Sequence, residues 1–111
     1  MIKLADINSV VELYEKHGWT LRRVLLTEPL HDEISEDVFA KAVIEDSEID
    51  ALWFSRTSKP ESETWELRRL TGSPFALIAV FDKGETDAER EETLREIEER
   101  MENADIEPTG H

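Results

Sequence analysis

The sequence predicts an α+β domain: an antiparallel sheet of about four strands in the order α-β-(α)-β-β-β-α, with the N- and C-terminal helices packed on one face. Apolar residues recur at helical spacing near both ends of the chain, as Ile7, Val10, Val11 and Tyr14 and as Leu94, Ile97, Met101 and Ala104. Between them, residues 51–81 hold three short runs of strand-favouring residues, separated by segments rich in turn formers. With 111 residues the chain reads as one domain over 1–104, and 105–111 is expected to fray as a tail.

The first helix is expected over 7–17. Asp6 is the expected N-cap, because its carboxylate can accept from the orphan amides of the first turn. Gly18 follows the helix, where a left-handed residue is wanted. A strand over 20–27 comes next, ended by Pro29, with His31 in an acidic loop beyond it. Residues 36–44 suit a second helix capped by Ser35, although Val38 to Ile44 would also serve as a short strand. Residues 45–50 then read as an acidic loop.

Strands follow over 51–56, 64–70 and 75–81, with a hairpin loop at 57–63 and a tight turn at Thr71-Gly72-Ser73-Pro74. The run from Phe75 to Phe81 is apolar at every position, which suits a strand central in the sheet. A final helix over 87–103 opens with a capping box, Thr86 with Glu89. Glu91 with Arg95, and Glu96 with Arg100, stand at i, i+4 in the favourable order. The narrow apolar seam of this helix suits docking on its own sheet, and would also suit a partner helix.

The net charge of −14, from 27 acidic and 13 basic residues, disfavours nucleic acid and anionic membranes as partners. The charge is unevenly spread: residues 28–50 and 84–111 each carry −8, whereas 1–27 and 51–83 each carry +1. The absence of cysteine excludes disulfides, thiolate metal sites and a cysteine nucleophile. No apolar run is long enough for a signal peptide or a membrane span, so a cytoplasmic location is expected.

Candidate chemistry is sparse. The three histidines lack partners at metal-ligand spacing, and Asp46-x-Glu48-x-Asp50 lacks the glycine and terminal glutamate of a calcium loop. Ser55 and Ser58 are in no nucleophile elbow, and the scattered glycines build no phosphate-cradling loop. No catalytic residue, metal site or cofactor is expected.

The strand arginines are the most informative group. Arg22, Arg23, Arg56, Arg68 and Arg69 fall on or beside predicted strands, with Trp53 and Trp65 among them. Adjacent strand residues such as Arg22 and Arg23 should point to opposite faces. Arginine forks beside an aromatic surface suit a phosphate, a carboxylate or an acidic peptide, and would equally pair with the chain's own carboxylates.

In size, acidity and lack of cysteine the chain resembles type III secretion chaperones, dimers that wrap an effector segment. The placement of a helix among the early strands departs from their element order, and the likeness carries no residue across. The residues leave two readings open. One is a small cytosolic interaction domain, adaptor or chaperone-like, that holds a protein partner or a second copy through its arginine- and tryptophan-bearing sheet face. The other is an anion- or small-ligand-binding domain, a class that extends to enzymes, centred on the strand arginines.

Overall fold

The computed structural model describes residues 4–34, 42–59, 62–70 and 76–105. Helix α1 (Leu4–Lys16) turns Ile7, Val11 and Tyr14 inward, as their spacing dictates. It begins ahead of Asp6, which sits in the first turn rather than at the cap. Gly18 adopts φ +89°, and this closes the helix: Trp19 N–H bonds Tyr14 C=O at 3.0 Å and Gly18 N–H bonds Glu15 C=O at 3.0 Å. The ring of Trp19 meets Tyr14 edge-on at 5.9 Å, an apolar contact that accompanies such a stop.

Strand β1 (Thr20–Leu26) leads into a short helix, α2 (Glu28–Glu33), where a loop was expected. Pro29 lies in its first turn, where a missing amide donor costs nothing. The N-cap position, Thr27, is held from outside: its N–H and hydroxyl both donate to Asp50, at 2.7 and 3.0 Å. Strand β2 (Val43–Asp46) occupies the end of the segment expected to be helical. The remainder of that expected helix, 36–41, lies outside the described residues, as does the expected turn at 71–74.

Strands β3 (Ala51–Lys59), β4 (Ser62–Arg69) and β5 (Ala76–Asp82) form an antiparallel meander, with β3 and β4 running further into the expected hairpin loop. Helix α3 (Asp87–Asp105) closes the chain on its capping box: Thr86 N–H bonds Glu89 Oε1 at 2.9 Å, and Glu89 N–H bonds Thr86 Oγ at 3.2 Å. Among the described residues five strands, rather than four, make one sheet in the order β2-β1-β3-β4-β5, with β1 and β2 parallel and the rest antiparallel.

The N- and C-terminal helices, expected on one face, cover opposite faces of the sheet. Ile7, Val11 and Tyr14 of α1 and Leu30 of α2 pack against Val24, Leu26, Leu52 and Phe54. Leu94, Ile97 and Met101 of α3 pack against Trp53, Trp65, Leu67 and Phe81 on the other side. The cause is in β3, which carries apolar side chains on both faces, so each face needs its own cover.

Strand β5 is an edge rather than the centre. Its α3 side, Ala79 and Phe81, is buried, whereas Ile78 and Val80 on the other side are 61% and 62% exposed. Helices α1 and α2 cover the β1–β3 half of their face and leave the β4–β5 half bare. An all-apolar strand signals two covered faces only where a second layer exists to cover both.

Candidate functional site

The strand arginines are dispersed over both faces. A β-bulge between Leu21 and Arg23 sets Arg22 and Arg23 on the same side, against the alternation expected of neighbours. Both guanidinium groups lie over the ring of Trp65, at 5.1 and 5.8 Å from its centroid. Arg22 also donates to Ser55 Oγ at 3.4 Å. Arg23 pairs with Glu91 of α3 and approaches Glu45 at 3.9 Å. The Glu91 bond holds Arg23 above its ordinary pKa, and the same bond holds the Glu91 carboxyl below its own. Glu91 thus bonds Arg23 between α3 and the sheet, and Arg95 adds a weaker pull from along the helix.

The other expected site residues lie apart. Arg56 covers Trp19 at 4.7 Å and donates to His17 C=O at 3.3 Å, on the α1 face. Arg68, also on that face, is half-buried and donates to the C=O of Arg69 at 3.3 Å. Arg69 stands opposite Ala51, on the α3 face. Trp53 is wholly buried, with its indole N–H bonded to Glu98 at 2.8 Å, so its ring belongs to the core. Trp65 is nearly as buried and donates to Glu63 at 2.6 Å. The structure brings Arg22, Arg23 and Trp65 together, and leaves Arg56, Arg68 and Arg69 apart from them.

An open cleft of about 1230 Å³ lies at the carboxyl ends of β1 and β2, between α2 and α3. Its walls are strongly acidic, with Glu28, Glu48, Glu98 and Glu102 among them, and Arg95 and His31 opposing. Burial pushes the Glu98 carboxyl up, although the Trp53 indole pulls it the other way. His31 is paired to Asp46. Among the described residues no group of three or more His, Asp or Glu is placed to hold a metal.

The remaining feature is the bare half of the α1 face. Its floor is Thr64, Glu66 and Arg68 on β4, each opposite one of Val80, Ile78 and Ala76 on β5. At its inner border the Tyr14 hydroxyl donates to Glu66. Burial and this carboxylate raise the Tyr14 pKa to about 12. The outer border is the edge of β5, beside which no further strand stands among the described residues. Sequence reasoning missed Ile78 and Val80 because it placed their strand inside the sheet. The signal was present in the connectivity: this is the last strand of a meander, and a helix rather than another strand follows it.

Set against known proteins, the chain matches no family model, no curated protein and no solved structure.

Proposed function

We propose that this protein is a protein-interaction domain that engages its partner through the bare half of its sheet, at β5. The observation that carries this reading is the pair Ile78 and Val80, each more than three-fifths exposed on an edge strand. Large exposed apolar side chains on an edge with open backbone groups are an association surface. The surface expected from sequence, the arginines with Trp53 and Trp65, is a weaker candidate, because α3 covers Trp53 and Trp65 and Arg23 is paired within the chain. The cysteine-free composition suits a reducing compartment such as the cytoplasm, and no helix among the described residues is long and apolar enough to cross a membrane. The test is capture by wild type compared with an Ile78→Lys/Val80→Lys variant of unchanged circular dichroism. A bound chain, its own or another, should be retained by the first and lost by the second. Equal retention by both, or none by the wild type, defeats the reading.

A second reading is favoured by Arg22. In a chain with 27 carboxylates, its exposed guanidinium rests on Trp65 with only the Ser55 hydroxyl bonded to it among the described residues. Such a group suits an anion, and the alternative of anion binding would centre there rather than on Arg56 and Arg68. Phosphate should then raise the melting temperature of the wild type but not of Arg22→Gln. No shift in the wild type removes this reading.

A further inference from the structure

We infer that the chain occupying the β5 edge is a second copy of this protein, paired antiparallel, β5 to β5, about a two-fold axis at Ala79. This rests on the interaction reading above and names its partner. The two edges of the sheet differ in how they are defended. Strand β2 is four residues long and ends in Glu45 and Asp46. Strand β5 is seven residues long, pairs with β4 in unbroken register, and contains no lysine, proline or bulge. Those are devices that keep an edge from pairing, and the one charge of β5, Asp82, stands at its very end.

The register follows from the strand itself. Ala79 is the midpoint of Ala76–Asp82, so a two-fold axis there pairs the strand over its whole length. Ile78 then meets Val80 of the second copy, and Val80 meets its Ile78, so four exposed apolar side chains join in one cluster. Ala76 meets Asp82 of the second copy. Asp82 is the strand's one charged residue, so no like charges face each other in this register.

Charge complementarity supports the same register. Arg68 lies opposite Ala76 on β4. In the paired sheet, Arg68, Ala76 and Asp82 of the second copy form one row on one face, with Arg68 and Asp82 two strand spacings apart, about 10 Å between Cα atoms. Only the alanine methyl lies between them, and Arg68, which meets the Tyr14 hydroxyl within the single chain, can reach the carboxylate once turned outward and extended. The two-fold axis makes this pair twice. With Arg68 set against Glu66 and Asp82, the bare face carries little of the chain's net −14.

The experiment is light scattering after size exclusion on the full chain, from micromolar to millimolar concentration. Wild type should show a two-chain mass that falls on dilution. Ile78→Lys and Val80→Lys, both at exposed positions, should be monomeric with unchanged circular dichroism. Arg68→Glu should weaken the dimer about tenfold, the loss expected of a broken charge pair, and Arg68→Glu/Asp82→Arg should restore it. Because the chain lacks cysteine, a mixture of Ile78→Cys and Val80→Cys chains should form a disulfide faster than either alone. A wild type of single-chain mass at every concentration overturns the inference, as does a dimer indifferent to the lysine changes, or cross-linking that is no faster in the mixture. A monomeric wild type that still captures another protein through Ile78 and Val80 overturns the dimer and leaves the interaction reading standing.

Discussion

Tyr14 of α1 donates its hydroxyl hydrogen to Glu66, the β4 residue that lies directly opposite Ile78. The bond marks where the covered part of the α1 face stops. On one side of it Tyr14 stacks on Phe54 with ring centroids 4.0 Å apart, and on the other the sheet is open. The carboxylate that seals the core is therefore also the inner wall of the proposed docking surface.

Tyr14 is the chain's single tyrosine, so its ionisation can be followed without ambiguity. Its pKa is raised to about 12 from the ordinary 10, first by burial and then by the Glu66 bond. A raised pKa contributes stability that is whole below the unfolded value and lost as pH climbs through the folded one. Stability should thus fall between pH 10 and about 12, in step with tyrosinate absorbance. Tyr14→Phe should flatten that loss, and at neutral pH should cost about 1 kcal/mol for the broken hydrogen bond. A tyrosinate titrating at the unperturbed value in the folded protein would contradict this.

Glu98 follows the same sign in a lower pH window. Burial raises its carboxyl pKa, and the neighbouring Glu45 and Glu91 add to the rise. Its ionised form is therefore disfavoured by the fold, and that cost appears as pH climbs through the raised pKa. Glu98→Gln keeps an acceptor for the Trp53 indole and removes the charge. It should raise the melting temperature at pH 7 by about 2–4 °C, roughly half a kcal/mol in a domain of this size, and by less in acid. Thermal melts at both pH values check it, and a gain that persists in acid would count against the electrostatic cause.

The capping box of α3 was fully legible in the sequence, and so were the buried Leu94, Ile97 and Met101 of α3 and Ile7, Val11 and Tyr14 of α1. Local pattern sufficed because each signal involves residues within a few positions of one another, as with Thr86 and Glu89 or Ile7 and Val11. What depended on distant partners was not legible. The place of β2 beside β1 and the bulge at Arg22 are products of pairing across the chain. The burial of Trp53 and the exposure of Ile78 follow from which half of each face a helix reaches, and period-two apolar patterning is the same in either case. For that reason the most exposed apolar surface lies at β5 and not at the arginines.

Thr86→Ala should cost about 1 kcal/mol, the usual effect of losing an N-cap hydroxyl. The Glu89 carboxyl is held below its ordinary range chiefly by the backbone N–H of Thr86, which survives the substitution. The change should therefore leave most of that depression in place while removing the acceptor for the Glu89 N–H. Urea denaturation measures the loss. An unchanged midpoint would mean that packing of Leu94, Ile97 and Met101 alone holds the start of α3.

Arg23 joins three parts of the molecule: it pairs with Glu91 on α3, approaches Glu45 on β2 and covers Trp65 on β4. It also opposes the rise in the Glu98 carboxyl, which Glu45 and Glu91 promote. Arg23→Gln removes the cation that acts on all three carboxylates, and leaves them facing one another with Arg95 acting on Glu91. The expected loss at pH 7 is about 1 kcal/mol, kept modest because the Glu91 side chain is half exposed to solvent. The sign with pH is set by Glu91, whose folded pKa is depressed: its contribution is present above the ordinary carboxylate value and lost as pH falls through the lowered one. The penalty of Arg23→Gln should therefore shrink in acid as the carboxylates take up protons. Parallel urea titrations of wild type and variant at neutral and acid pH test this, and a penalty that is constant with pH would assign the role of Arg23 to its packing on Trp65 instead.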